Sequence, residues 1–137
     1  MLSDSFYNRL GANDEGRVHM YQYAQTVDAN CGMFMNEYSG NSFGGYDATS
    51  YVNRANRLIA LGAPIGGLGI QAHLGTISSF NAANYYSNVL VPLAAVGLPI
   101  WATEFDVNQP NDTTRANIME DFFRICFSHP SVEGIMM

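Results

Sequence analysis

Two connectors in this chain share one design: LGAPIGGLGI (61–70) and VGLPIWATEF (96–105) each pass through Gly and then Pro into an apolar stretch. Glycine just past a helix end, followed closely by proline, is how a helix is commonly stopped. Four apolar runs bounded by turn residues read as strands: GMFMNEY (32–38), GLGIQAHL (67–74), LPIWATEFDV (98–107) and VEGIMM (132–137). Between them, residues 47–62, 81–97 and 113–127 place apolar side chains three and four positions apart and read as helices, with another helix over 13–27 ahead of the first strand. Gly62 and Gly97 should close two of these helices, and Pro92 should kink the second. Strand starts near 33, 69, 100 and 134 are then 36, 31 and 34 residues apart, a regular strand-plus-helix repeat.

Such a repeat predicts parallel strands joined by helical crossovers. A unit of about 34 residues repeated eight times would give about 270, close to the usual size of a (β/α)₈ barrel. The 137 residues hold half of that. The expected fold class is therefore α/β, a partial (β/α)₈ TIM barrel of about four βα units. The alternative is a four-stranded doubly wound sheet, but GGLGI leads into a strand instead of out of one, so the phosphate-binding fingerprint of a nucleotide fold is missing.

Composition narrows the partners. Six arginines, no lysine and twelve acidic residues leave a net charge of −6, which disfavours nucleic acid and anionic membrane and favours a neutral, polar ligand. No stretch approaches the run of about 20 apolar residues that a membrane span needs, and MLSDSFYNRL lacks the basic-then-apolar order of a signal peptide. Cys31 and Cys126 have no metal-ligand spacing and are too few for a disulfide framework, so buried free thiols are expected. No metal or other cofactor is implied.

In α/β barrels and open sheets, chemistry gathers at the carboxyl ends of the strands. Three of the four runs end in polar residues there: Asn36-Glu37-Tyr38, Gln71-Ala72-His73 and Glu104-Phe105-Asp106. On a regular strand, alternation pairs Asn36 with Tyr38, Gln71 with His73, and Glu104 with Asp106. It also puts Ile100 and Ala102 on the face of the two acids and Trp101 on the other, toward the helices. One polar strand end is ordinary; three neighbouring ones make a site. A lone histidine near an apolar segment is more often a satisfied core residue, the reading adopted for His19 and His129.

SDSFYNRLG, VDANCGMFMNEY, GAPIGGLGIQAHL, GLPIWATEFDV and HPSVEGIMM together resemble glycoside hydrolase family 10, the retaining endo-β-1,4-xylanases, and especially its plant-type members. The likeness covers nearly the whole chain and implies strands five to eight with helices four to seven of that barrel. It implies that Glu104 is the catalytic nucleophile, that His73 hydrogen-bonds it, and that Asp106 holds His73. Hydrogen bonds donated to a carboxylate favour its charged form, whereas two acids side by side without a donor oppose each other. The same pattern makes Gln71 a partner of a sugar hydroxyl and puts Asn36 and Tyr38 in the cleft wall. Xylan or xylo-oligosaccharide is the implied ligand, and a secreted or cell-wall location is implied for the complete enzyme.

Two departures from the family pattern stand out. Glu37 replaces the usual Asp, so "NE" mimics the Asn-Glu that carries the general acid in related barrels. Only one strand-like run separates Glu37 from Glu104, however, where that arrangement needs two, and alternation points Glu37 away from Asn36. The second departure is coverage: residues 1–137 read as a partial catalytic domain lacking the N-terminal half, with its general-acid Glu, and the end of the barrel. Nucleophile without acid implies a chain inactive on its own. The alternative is a truncated, inactive sugar-binding or half-barrel protein that self-associates through its open edges.

Overall fold

The computed structural model describes residues 13–37, 48–75 and 77–137. Helix α1 (Asn13–Val27) precedes strand β1 (Phe34–Glu37). Helix α2 (Thr49–Ala60) leads to β2 (Gly67–Ile70). Helix α3 (Ala82–Tyr85), a π-helical turn (Tyr86–Leu90) and α4 (Val91–Ala94) then run nearly end to end before β3 (Ile100–Ala102). Helix α5 (Asp112–Ser128) connects to β4 (Val132–Ile135). All three strand pairs are parallel and the sheet order is β1-β2-β3-β4. A doubly wound sheet reverses strand order at a switch point; none occurs among these strands, which wind in one direction as a barrel does.

The stops work as the sequence predicts. Gly62 adopts φ 89°; its N–H donates to the Ile59 carbonyl at 2.9 Å and the Ala63 N–H to that of Leu58 at 3.0 Å, closing α2 with two crossed bonds. Gly97 ends the next helical stretch with φ 83°. Pro92 leaves the Asn88 carbonyl without its helical donor, and the Ala48 N–H takes that place at 3.3 Å. The expected kink is thus a π turn, with the Val91 N–H reaching back to the Tyr86 carbonyl. At α5, the Asn111 side chain accepts the Thr114 N–H at 2.9 Å and caps the helix.

One face of the sheet is the core. Met35, Leu68, Ile70, Ile100 and Ala102 are buried in one cluster with Tyr51, Ala55 and Leu58 of α2 and Ile118, Phe122 and Cys126 of α5. The other face alternates bulk with glycine. A Cβ on Gly67 would fall 2.3 Å from the Phe34 ring, one on Gly69 2.6 Å from Asn36 Oδ1, and one on Gly134 2.5 Å from the Trp101 ring. Side chains of β1 and β3 therefore lean over the bare backbones of β2 and β4, the alternate-strand layering of a barrel interior.

Several expectations need correction. Trp101 lies on this inner face, edge-on to Phe34 with ring centroids 6.1 Å apart, and not against the helices. Ile100 and Ala102 are the residues that face the helices. His19 is exposed on α1, whereas His129 is buried, accepts the Ser131 N–H at its Nδ1 and has its pKa lowered by desolvation. Cys31 is exposed; Cys126 is buried, and desolvation pushes its thiol up to about 12.

Candidate active site

Beyond Ala102 the third strand changes its pairing, and that change builds the site. The Thr103 N–H donates to the Ile70 carbonyl at 2.8 Å, and the next N–H, of Glu104, donates the same way, to Gln71 at 3.1 Å. Phe105 then turns to Met136 at 2.8 Å and Asp106 back to Ala72 at 3.4 Å. Two successive N–H groups pointing to one neighbour constitute a bulge, which reverses the alternation. Trp101 and Thr103 before it thereby share a face with Glu104 and Asp106 after it. Phe105, buried, turns to the helices and stacks on Phe122 with centroids 4.3 Å apart. The expectation that the two acids face the same way holds; their grouping with Ile100 and Ala102 does not.

On the second strand the break comes at Ala72, whose φ of 61° lies in the left-handed region. That conformation costs an L residue about 1–2 kcal/mol. It is followed by a single parallel bridge between His73 and Asp106. There His73 Nδ1 lies 2.8 Å from Asp106 Oδ2 and Nε2 lies 3.2 Å from Glu104 Oε2. A neutral imidazole has one N–H to donate, the protonated ring two. Desolvation opposes the charged ring, but hydrogen bonds to Asp106 and Glu104 and the charges of both outweigh it, so the His73 pKa is raised above 6.5.

The other oxygen of Glu104 is also held: Asn36 Nδ2 donates to Oε1 at 3.1 Å. Thr103 Oγ1 lies 2.9 Å from Asn36 Oδ1. Asn36 reaches Glu104 from β1 across β2, and it can do so because Gly69 between them has no side chain. The family resemblance implied only a cleft-wall place for Asn36, and neither contact was anticipated; the glycine at that level of the middle strand was the available signal. Glu104 remains 42% exposed at its side chain, open to a ligand from solvent.

Of the other expected site residues, Gln71 is half-buried and its carbonyl accepts the Glu104 N–H. Tyr38 lies outside the described residues. The β1–β2 ladder runs unshifted through Glu37↔Ile70, so no bulge intervenes there to reverse the alternation.

Parallel strands wound in sequence, with two carboxylates and a histidine gathered at their carboxyl ends, define part of a (β/α)₈ barrel at its catalytic end. The chain belongs to glycosyl hydrolase family 10, whose sequence profile matches residues 1–137. It is 35% identical over its whole length to endo-1,4-beta-xylanase 2 of Arabidopsis thaliana, covering 13% of that protein. It is 34% identical to anti-sigma-I factor RsgI6 of Acetivibrio thermocellus, covering 17% of it. Native xylanase 10B from Thermotoga maritima superposes with a TM-score of 0.75 at 25% identity, over 90% of this chain and 39% of that one. The chain thus spans well under half the length of each of these relatives.

Proposed function

We propose that this chain carries the nucleophile side of a retaining β-1,4-xylan hydrolase. A Glu104 oxygen attacks the anomeric carbon as the glycosidic oxygen leaves, and water later opens the resulting ester with net retention of configuration. The observation that supports this is the fixing of both Glu104 oxygens, Oε1 by Asn36 and Oε2 by His73, on a side chain still open to solvent. Donors on both oxygens fix the direction of attack, and Asp106 fixes the donor. Gln71, Asn36 and Tyr38 would line the adjoining sugar site.

The retaining reaction needs a second carboxyl group about 5–5.5 Å from the first, to protonate the leaving oxygen and then activate water. Asp106 is committed to His73, so we assign that role to a residue of the complete barrel outside the described segments. In the complete enzyme, Glu104→Gln should abolish release of reducing sugar from xylan while leaving the thermal unfolding midpoint within a few degrees of the parent. A Glu104→Gln enzyme that still turns over would remove the assignment.

A second reading has one observation in its favour: a relative at 34% identity carries the name of an anti-sigma-I factor. On that reading the chain binds sugar without cleaving it. Calorimetric titration with xylo-oligosaccharide separates the two: binding unaffected by Glu104→Gln, in a protein without turnover, is the outcome expected of a binding module.

A further inference from the structure

We propose that Thr103 is a positioning residue that acts on Glu104 through Asn36, an inference resting on the assignment of Glu104 as the nucleophile. An asparagine side chain has a donor end and an acceptor end of almost the same shape, and reversing them costs nothing sterically. Only the donor end serves Glu104: presented the other way, Asn36 Oδ1 would face Glu104 Oε1, two acceptors with no proton between them. Something must therefore fix the amide, and the Thr103 hydroxyl does so by donating to Oδ1 at 2.9 Å, which leaves Nδ2 for Glu104 at 3.1 Å.

Thr103 has only one hydroxyl proton, and it has a choice. The Ile70 carbonyl lies 3.1 Å away and could take it. If it did, the threonine oxygen would face Asn36 as an acceptor and draw the amide round, placing Oδ1 toward the carboxylate. Donation to Asn36 is the productive arrangement, and in it the three-membered chain Thr103–Asn36–Glu104 settles as a unit. Space for it is provided by Gly69: a Cβ there would sit 2.6 Å from Asn36 Oδ1 and 3.0 Å from Thr103 Cγ2, the two groups whose contact makes the chain. The bulge at Thr103–Glu104 has the same effect, since it places consecutive residues on one face so that both touch Asn36. On the other side, His73 meets Oε2, so a loosened Oε1 also loosens the His73 contact.

The test follows the side-chain nitrogens of Asn36 and His73 by ¹H–¹⁵N NMR across pH in the labelled complete enzyme and its variants. In the parent and in Thr103→Ser, which keeps the hydroxyl, the two Asn36 Nδ2 protons should be well separated and protected from exchange, with the His73 midpoint above 6.5. In Thr103→Val, which keeps the shape and loses the hydroxyl, and in Gly69→Ala, the Asn36 protons should lose that protection and the His73 midpoint should fall toward 6.5. Valine behaviour indistinguishable from the parent overturns the proposal, as does serine behaviour as altered as valine's. Should valine prevent folding, Thr103→Ser against Thr103→Ala reads the same contrast, and equality of those two overturns it. No substrate enters these measurements, so their failure is distinct from failure of the hydrolase assignment, which Glu104→Gln turnover decides.

Discussion

At the residue scale, His73 is the group on which the site depends, because it alone among the described residues touches both carboxylates. Its raised pKa ties the cluster to pH. A histidine whose pKa is higher folded than unfolded contributes stability that is fully present below the unfolded value and is lost as pH rises through the folded one. His73→Ala should therefore lower the urea midpoint most below pH 6.5, and the gap to the parent should shrink as pH rises past the raised value. Denaturation curves at pH 5.5 and pH 8.5 check this; a gap that widens toward high pH contradicts it. Asp106→Asn should give a smaller change of the same sign, since Glu104 remains. That Glu104 and Asp106 share a face was legible from alternation; the place of His73 between them came from the family resemblance. The Asn36–Glu104 bond was not, because it joins strands separated by a third and depends on a missing side chain at Gly69.

At the scale of elements, the third strand shows how packing aims chemistry. Phe105 sits between Glu104 and Asp106 in sequence, and its burial against Phe122 and Phe123 anchors the bulged backbone from behind. Phe122 in turn meets Phe80 and Tyr85 and is fully buried. Phe122→Ala should cost about 3–5 kcal/mol, the usual range for deleting a buried phenylalanine, and should also disturb the site backbone ahead of it. Chemical denaturation gives the first effect and amide shifts of residues 103–106 the second; a loss below about 1 kcal/mol contradicts the packing described. Helices were readable because their glycine stops and apolar spacing are local signals: 13–27 agrees with α1, and 113–127 differs from α5 by one residue at each end. The run 98–107 was overread as one strand. In-register pairing with β2 runs only through Ala102, since a bulge is decided by neighbouring strands and leaves no period in the sequence.

At the scale of the whole molecule, the described sheet has β1 and β4 as its edges and an inner face carrying Phe34, which is 38% exposed, beside Trp101. The Trp101 indole N–H is buried without a partner among the described residues. Unpaired strand edges and such a face favour association. We therefore propose that the 137-residue chain self-associates; light scattering on a sizing column should give a mass above the monomer that grows with concentration, and a constant monomer mass contradicts it. The central claim, that Glu104 is the nucleophile, is tested most directly by covalent trapping. A 2-deoxy-2-fluoro-β-xylobioside with a dinitrophenolate leaving group needs no proton donor: the carboxylate oxygen bonds to the anomeric carbon, the phenolate departs, and the fluorine slows hydrolysis of the ester. Peptide mass mapping of the treated complete enzyme should place one fluoroxylobiosyl group on Glu104, and none in Glu104→Gln. A label on any other residue, or the same label in Glu104→Gln, would contradict the account.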